Sequence, residues 1–151
     1  AFVYNRTLTG ITQYNPFVYL PIVKHEKASI EKLMIDFLQQ EMIKKMPEHM
    51  HHFIVDVILV PQCKNWVEKF CTDEKTTIEQ LFSVKIVECN PFYEMAGACM
   101  FEWHNSADRA ILMGQAPFEF RIVSQANKHV LKVLEEQWKR FVYPEQLIQQ
   151  Q

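Results

Sequence analysis

Two acids and one amide, set in apolar stretches, are the residues of this chain most suited to chemistry. Glu88 and Asn90 close an apolar run that begins at Leu81 and stops at Pro91. Strand side chains alternate, so Glu88 and Asn90 share a face while Cys89 points the other way. Pro91 has no backbone donor and ends the ladder. A carboxylate beside an amide oxygen suits Mg²⁺, which binds through one or two carboxylates plus substrate phosphates. Asp56 is the second acid, and its neighbours in Phe53–Val60 are all apolar. Burying an unpaired carboxylate is costly, so Asp56 needs either a lysine or arginine on the next strand or a bound cation. If Phe53–Val60 pairs with Val84–Asn90, then Asp56, Glu88 and Asn90 converge as three oxygen ligands on one face.

The elements that would position them follow from periodicity. Phe2–Tyr4 and Leu8–Gln13 read as strands of a hairpin turning at Asn5-Arg6-Thr7. Phe17–Val23 reads as extended, interrupted by Pro16 and Pro21. Ser29–Met46 carries Ile30, Leu33, Met34, Phe37, Leu38, Met42 and Met46 at helical spacing, closed by Pro47. The polar segment Gln62–Gln80, anchored by Trp66, Val67 and Phe70, reads as a short helix plus a loop. Ala98–Trp103 and Phe118–Val123 read as further strands, Lys128–Phe141 as an amphipathic helix, and Gln146–Gln151 as a frayed tail. This order predicts an α+β fold, an antiparallel sheet flanked by helices. It fills residues 1–145 as one lobe, with 146–151 as a flexible tail.

Composition narrows the function classes. The chain has 151 residues, 48% hydrophobic and 23% charged, as expected of a globular domain rather than a disordered one. Its net charge of -2 gives no electrostatic case for nucleic acid or an anionic membrane. No apolar run approaches the roughly 20 residues of a membrane span. Cys63, Cys71, Cys89 and Cys99 show neither C-x-x-C pairing nor zinc spacing, and read as reduced core or loop thiols of an intracellular, cytoplasmic protein. The start at Ala1, in mid-strand and without methionine, reads as a cut from a longer chain.

With these residues in place, a resemblance emerges. Phe53-Ile54-Val55-Asp56 followed by Ile86-Val87-Glu88-Cys89-Asn90-Pro91-Phe92 resembles the metal-binding half, the C-terminal lobe, of the ATP-grasp fold. The opening Phe2–Tyr14 is similar to the hairpin that precedes that half. The likeness is closest to the cell division cycle protein D123 branch, in which Leu-Phe-x-Trp corresponds to Met100-Phe101-Glu102-Trp103. Phe118-Glu119-Phe120-Arg121 is similar to a segment of related, largely uncharacterised ATP-grasp proteins. The resemblance runs in family order from Phe2 to Arg121.

It implies that Asp56, Glu88 and Asn90 are ligands of Mg²⁺ and bind ATP through it. It also implies an ADP-forming carboxylate-amine or carboxylate-thiol ligase acting on an unknown small-molecule or protein acceptor. The D123 branch implies an alternative, an ATP-dependent chaperone for assembly of a translation initiation factor, with that factor as protein partner. A nucleotide-free interaction domain is a third reading. Arg121 is the candidate for contacting the γ-phosphate or an acyl-phosphate, since guanidinium matches phosphate geometry. Its alternative is a strand-end pair with Glu119 or Glu102. Two departures stand out. The Asp56-to-Glu88 connection is longer than the family's tight hairpin, making Gln62–Gln80 an insertion, and the lysine-bearing lobe that clamps nucleotide is expected upstream of Ala1.

The remaining conspicuous residues read as structural. His49, His51 and His52 lack the i, i+4 spacing of a helical zinc site and read as a loop. His104 has no nucleophile beside it in sequence. Lys24, Lys27, Lys44 and Lys45 read as solvated faces, and the methionines of Ser29–Met46 as core.

Overall fold

A computed structural model describes residues 1–72 and 75–127. The expected Lys128–Phe141 helix and the 146–151 tail lie outside these residues. The sheet has five strands in the order β4-β3-β1-β2-β5. They are β1 (Phe2–Tyr4), β2 (Thr7–Thr12), β3 (Phe53–Pro61), β4 (Phe82–Pro91) and β5 (Glu119–Arg121). Neighbours β1/β2, β1/β3 and β3/β4 are antiparallel, whereas β5 joins β2 in parallel with Thr12 opposite Arg121. The fold is α+β as expected, but the sheet is mixed rather than antiparallel. The chain crosses over the sheet before β5, which sequence alternation cannot reveal.

Both faces of the central strands are covered, which is why they read as unbroken apolar runs. Val3, Phe53 and Val55 pack with Ile30, Leu38 and Met42 under the helices of one face. Phe2 and Ile54, each next in sequence to a residue of that core, pack instead with Phe101, Trp103 and Leu112 on the other face. Gly10 lets the Phe101 ring pack close on β2, since a Cβ there would lie 3.1 Å from it.

The helical layer differs from expectation in detail. Pro21, fixed at a helical φ, starts the short helix α1 (Pro21–His25) within the segment expected to be extended. Helix α2 (Lys27–Asp36) continues through a π-helical stretch, Phe37–Met42, and a 3-10 turn, Ile43–Lys45. Met46, preceding a proline, turns extended at ψ 143° and ends the run, as the sequence predicts. Between β3 and β4 the Gln62–Gln80 segment holds α3 (Trp66–Thr72) and enters α4 (Ile78–Leu81). Ile78 and Leu81 are buried, and Gln62 donates its backbone N–H to the Leu81 carbonyl at 2.8 Å, so the long connection is anchored at both ends. Ala98–Trp103 is not a strand but an irregular loop leading to α5 (Ser106–Leu112), a helix the periodicity did not reveal. Phe101 and Trp103, spaced as on a strand, are both buried through turns.

The hairpin turn is also a helix cap. Asn5 and Arg6 have φ of 49° and 58°, the left-handed pair that a two-residue turn requires. Arg6 then donates through Nη2 to Ile43 O at 2.7 Å and through Nη1 to Pro47 O at 2.9 Å, satisfying carbonyls at the end of the helical run. Arg6→Ala is expected to lower the free energy of unfolding by about 2 kcal/mol, the scale of hydrogen bonds from a charged group. A urea midpoint equal to that of the wild type would show that the cap carries no stability.

Candidate functional site

Asp56 on β3 lies directly opposite Glu88 on β4, and Ile54 lies opposite Asn90. Opposed residues of an antiparallel pair share a face with Cβ atoms about 5 Å apart. The expected convergence of Asp56, Glu88 and Asn90 is therefore present. Just beyond the acids the register shifts, with Val57 opposite Ile86 and Val87 left over as a bulge. Such bulges re-aim strand side chains and occur beside active sites. Asn90 donates its amide N–H to Glu88 Oε1 at 3.1 Å, which fixes the carboxylate and leaves the Asn90 oxygen free to ligate.

These three residues and Ile54 form the floor of a cleft of about 460 Å³. Ala96, Gly97 and Cys99 make the facing wall, and Tyr14, 74% exposed, stands at the rim. The wall and Tyr14 escaped the sequence reading. The small residues Ala96-Gly97-Ala98-Cys99 were the available signal, because short side chains let a backbone approach a site closely.

The alternative partner for Asp56, a lysine or arginine on the next strand, is absent. Among the described residues neither Asp56 nor Glu88 forms an ion pair. Burial pushes the Asp56 carboxyl above its ordinary value; the hydrogen bond and charge of Glu88 add to the rise, against the pull of the positive amino terminus. Two carboxylates in this position repel each other unless a proton or a cation lies between them. All donors are hard oxygens, which fits Mg²⁺. Among the described residues no three His, Cys, Asp or Glu side chains gather to hold a metal by themselves. A cation here would complete its coordination with water and ligand phosphate, the usual habit of Mg²⁺.

Arg121 does not line this cleft. Its Nη2 donates to Asp108 Oδ1 at 2.7 Å, its Nε to Glu119 Oε2 at 2.8 Å and its Nη1 to Met100 O at 3.0 Å. The guanidinium also lies 4.0 Å from the centre of the Phe101 ring. The expected phosphate contact thus gives way to the alternative pairing with Glu119, joined by Asp108. Asp108 was missed; it follows Asn105, whose Oδ1 caps α5 by accepting from the Ala107 and Asp108 amides. The Asp108 carboxyl is held below its usual range by the Arg121 hydrogen bond, with help from the Glu102 amide and against burial.

His52 stacks on Tyr4 at 4.2 Å between ring centres, and its Nδ1 accepts from the Asn5 amide. The four cysteines are unpaired, as expected; Cys71, Cys89 and Cys99 are exposed and Cys63 is half-buried. Among the described residues no helix is long and apolar enough to cross a membrane.

Two predictions follow from these charges. Asp56, with its folded value raised, favours the folded state below its unfolded value and loses that contribution as pH rises through the folded one. Asp56→Asn should therefore stabilise the metal-free protein at neutral pH by about 0.5 kcal/mol, with the gain vanishing near pH 3. A lowered denaturation midpoint at neutral pH would mean that the acid has a structural partner. Asp108 has the opposite sign: its contribution is full above its unfolded value and lost as pH falls through the depressed folded one. Asp108→Asn should cost about 2 kcal/mol at neutral pH and progressively less in acid, measured by urea unfolding between pH 2 and 7.

In the comparisons with known proteins, the D123 family model matches residues 1–151. No curated protein and no solved structure matches the chain.

Proposed function

The chain belongs to the D123 family, and on that premise we propose that the cleft floored by Asp56, Glu88 and Asn90 binds a nucleoside triphosphate through Mg²⁺, as in the metal-binding lobe of an ATP-grasp protein. The observation that carries this reading is the Asp56–Glu88 cross-strand pair, two carboxylates in a cleft with no basic side chain paired to either among the described residues. Bare carboxylates repel phosphate, so a cation held by them would be needed for phosphate to approach. Mg²⁺ when bound supplies charge neutralisation to adjacent phosphate oxygens. Asp56 and Glu88 hold the ion, Asn90 steadies Glu88 and offers a third oxygen, and the Ala96–Cys99 wall limits water on the opposite side.

Family membership favours use of the bound nucleotide in assembling a protein partner, a translation initiation factor, over ligation. ATP-grasp likeness alone would favour ADP-forming ligation of a carboxylate to an amine or thiol. The two readings share the site and differ in turnover. Release of ADP and phosphate dependent on an acceptor would identify a ligase, whereas nucleotide-dependent capture of a partner without turnover would identify an assembly factor.

The site itself is tested by calorimetric titration of the full-length protein with ATP. Mg²⁺ should tighten binding at least tenfold, about 1.4 kcal/mol, and EDTA should reverse the gain. The double variant Asp56→Asn, Glu88→Gln should lose the Mg²⁺ dependence. Undiminished Mg-ATP affinity in that variant, correctly folded, would remove this reading.

A further inference from the structure

The wall of the cleft is a loop without regular structure, and it is pinned at several places by side chains outside the cleft. Trp103 Nε1 donates to the Ala96 carbonyl at 2.7 Å, closing the loop on itself. Arg121 Nη1 donates to the Met100 carbonyl at 3.0 Å, while the Met100 amide donates to Thr12 Oγ1 at 3.3 Å. The Glu102 amide donates to Asp108 Oδ2 at 2.8 Å, and the other oxygen of the same carboxylate accepts from Arg121. Between these pins Cys99 sits at φ 55°, a left-handed conformation that a non-glycine residue adopts only where its surroundings impose it. The clamp itself is well shielded, with Asp108 and Arg121 side chains 11% and 25% exposed.

We propose that the Arg121–Asp108 pair is a positioning device for the nucleotide cleft. By fixing Met100 and Glu102 it holds the strained Cys99 turn, and with it the Ala96–Cys99 wall, at the spacing from Asp56 and Glu88 that a metal-bound phosphate requires. This rests on the reading of the cleft as a metal–phosphate site. Arg121 then acts on the ligand without touching it, and its charge matters less than its fork. Three nitrogens serve three acceptors on separate elements: Glu119 beside it on β5, Met100 in the loop and Asp108 on α5. A lysine ammonium cannot reproduce that planar arrangement.

The experiment is a double-mutant cycle on Mg-ATP affinity in the full-length protein, with Arg121→Met, Arg121→Lys, Asp108→Asn and the double variant Arg121→Met, Asp108→Asn. Positioning predicts that Arg121→Met and Asp108→Asn each weaken binding at least fivefold. The double variant should be no more than twofold weaker than the worse single one, because both remove the same clamp. Arg121→Lys should be as weak as Arg121→Met. A direct contact between Arg121 and phosphate predicts the reverse: Lys rescues, and Asp108→Asn, by freeing the guanidinium, leaves binding equal or tighter. That pattern overturns the inference, as do additive losses or affinities all within twofold of wild type. Circular dichroism establishes that each variant is folded; if Arg121→Met is not, the near-isosteric Asp108→Asn and Arg121→Lys decide between the two outcomes. If the wild-type protein binds no Mg-ATP, the function reading fails and the inference with it. If the wild type binds and Asp56→Asn, Glu88→Gln abolishes binding while the clamp variants do not weaken it, only the inference fails.

Discussion

The register of β3 against β4 is the constraint on which the site depends. A slip of one residue would turn Glu88 and Asn90 to the helical face and separate them from Asp56, because strand side chains alternate. Burial of the apolar residues just before Asp56 holds the register: Val55 is fully buried on one face and Ile54 nearly so on the other. The Val87 bulge takes up the extra residue directly after the acid pair, so the ladder can continue to Phe82 opposite Pro61 without rotating the acids out of alignment. Like charges opposed on a sheet are unfavourable by themselves. The cation proposed for the cleft would relieve that repulsion, as would a proton shared between the two carboxyls.

Around that register the two faces have different tasks. One carries the helical layer and most of the hydrophobic core. The other is covered by the 92–112 segment, whose Phe101 and Trp103 side chains are buried on the sheet while Ala96, Gly97 and Cys99 line the cleft. A loop of this kind has few ladder hydrogen bonds to define it. Its shape rests on side-chain contacts from Trp103, Thr12, Asp108 and Arg121. The floor of the cleft is therefore set by backbone pairing, and the wall by polar side chains reaching in from other elements.

Much of the floor was legible from sequence. β-branched runs located β3 and β4, and the period of two placed Glu88 and Asn90 together. Less of the wall was. Phe101 and Trp103 alternate as strand residues do, yet the chain between them turns, because Met100 and Glu102 find their partners in side chains rather than in a neighbouring strand. The short helix α5 was hidden for a similar reason. Seven residues are too few for a clear helical stripe, and its start is marked only by the Asn105 cap.

Arg121 shows where sequence reasoning stops. Its residue type and its position at a strand end suited a phosphate contact and an ion pair equally well. Only the parallel docking of β5 beside β2, with α5 packed above, decided that its fork would close on Asp108, Glu119 and Met100. The sequence by itself determined which residues alternate, which strands are apolar on both faces, and that an acid and an acid-x-amide would share one face if those strands met. The tertiary structure decided that they meet in register, that among the described residues no lysine or arginine pairs with either acid, and which loop stands opposite. Local periodicity follows from backbone geometry, whereas the choice of partners among distant charges depends on which elements the folded chain brings side by side.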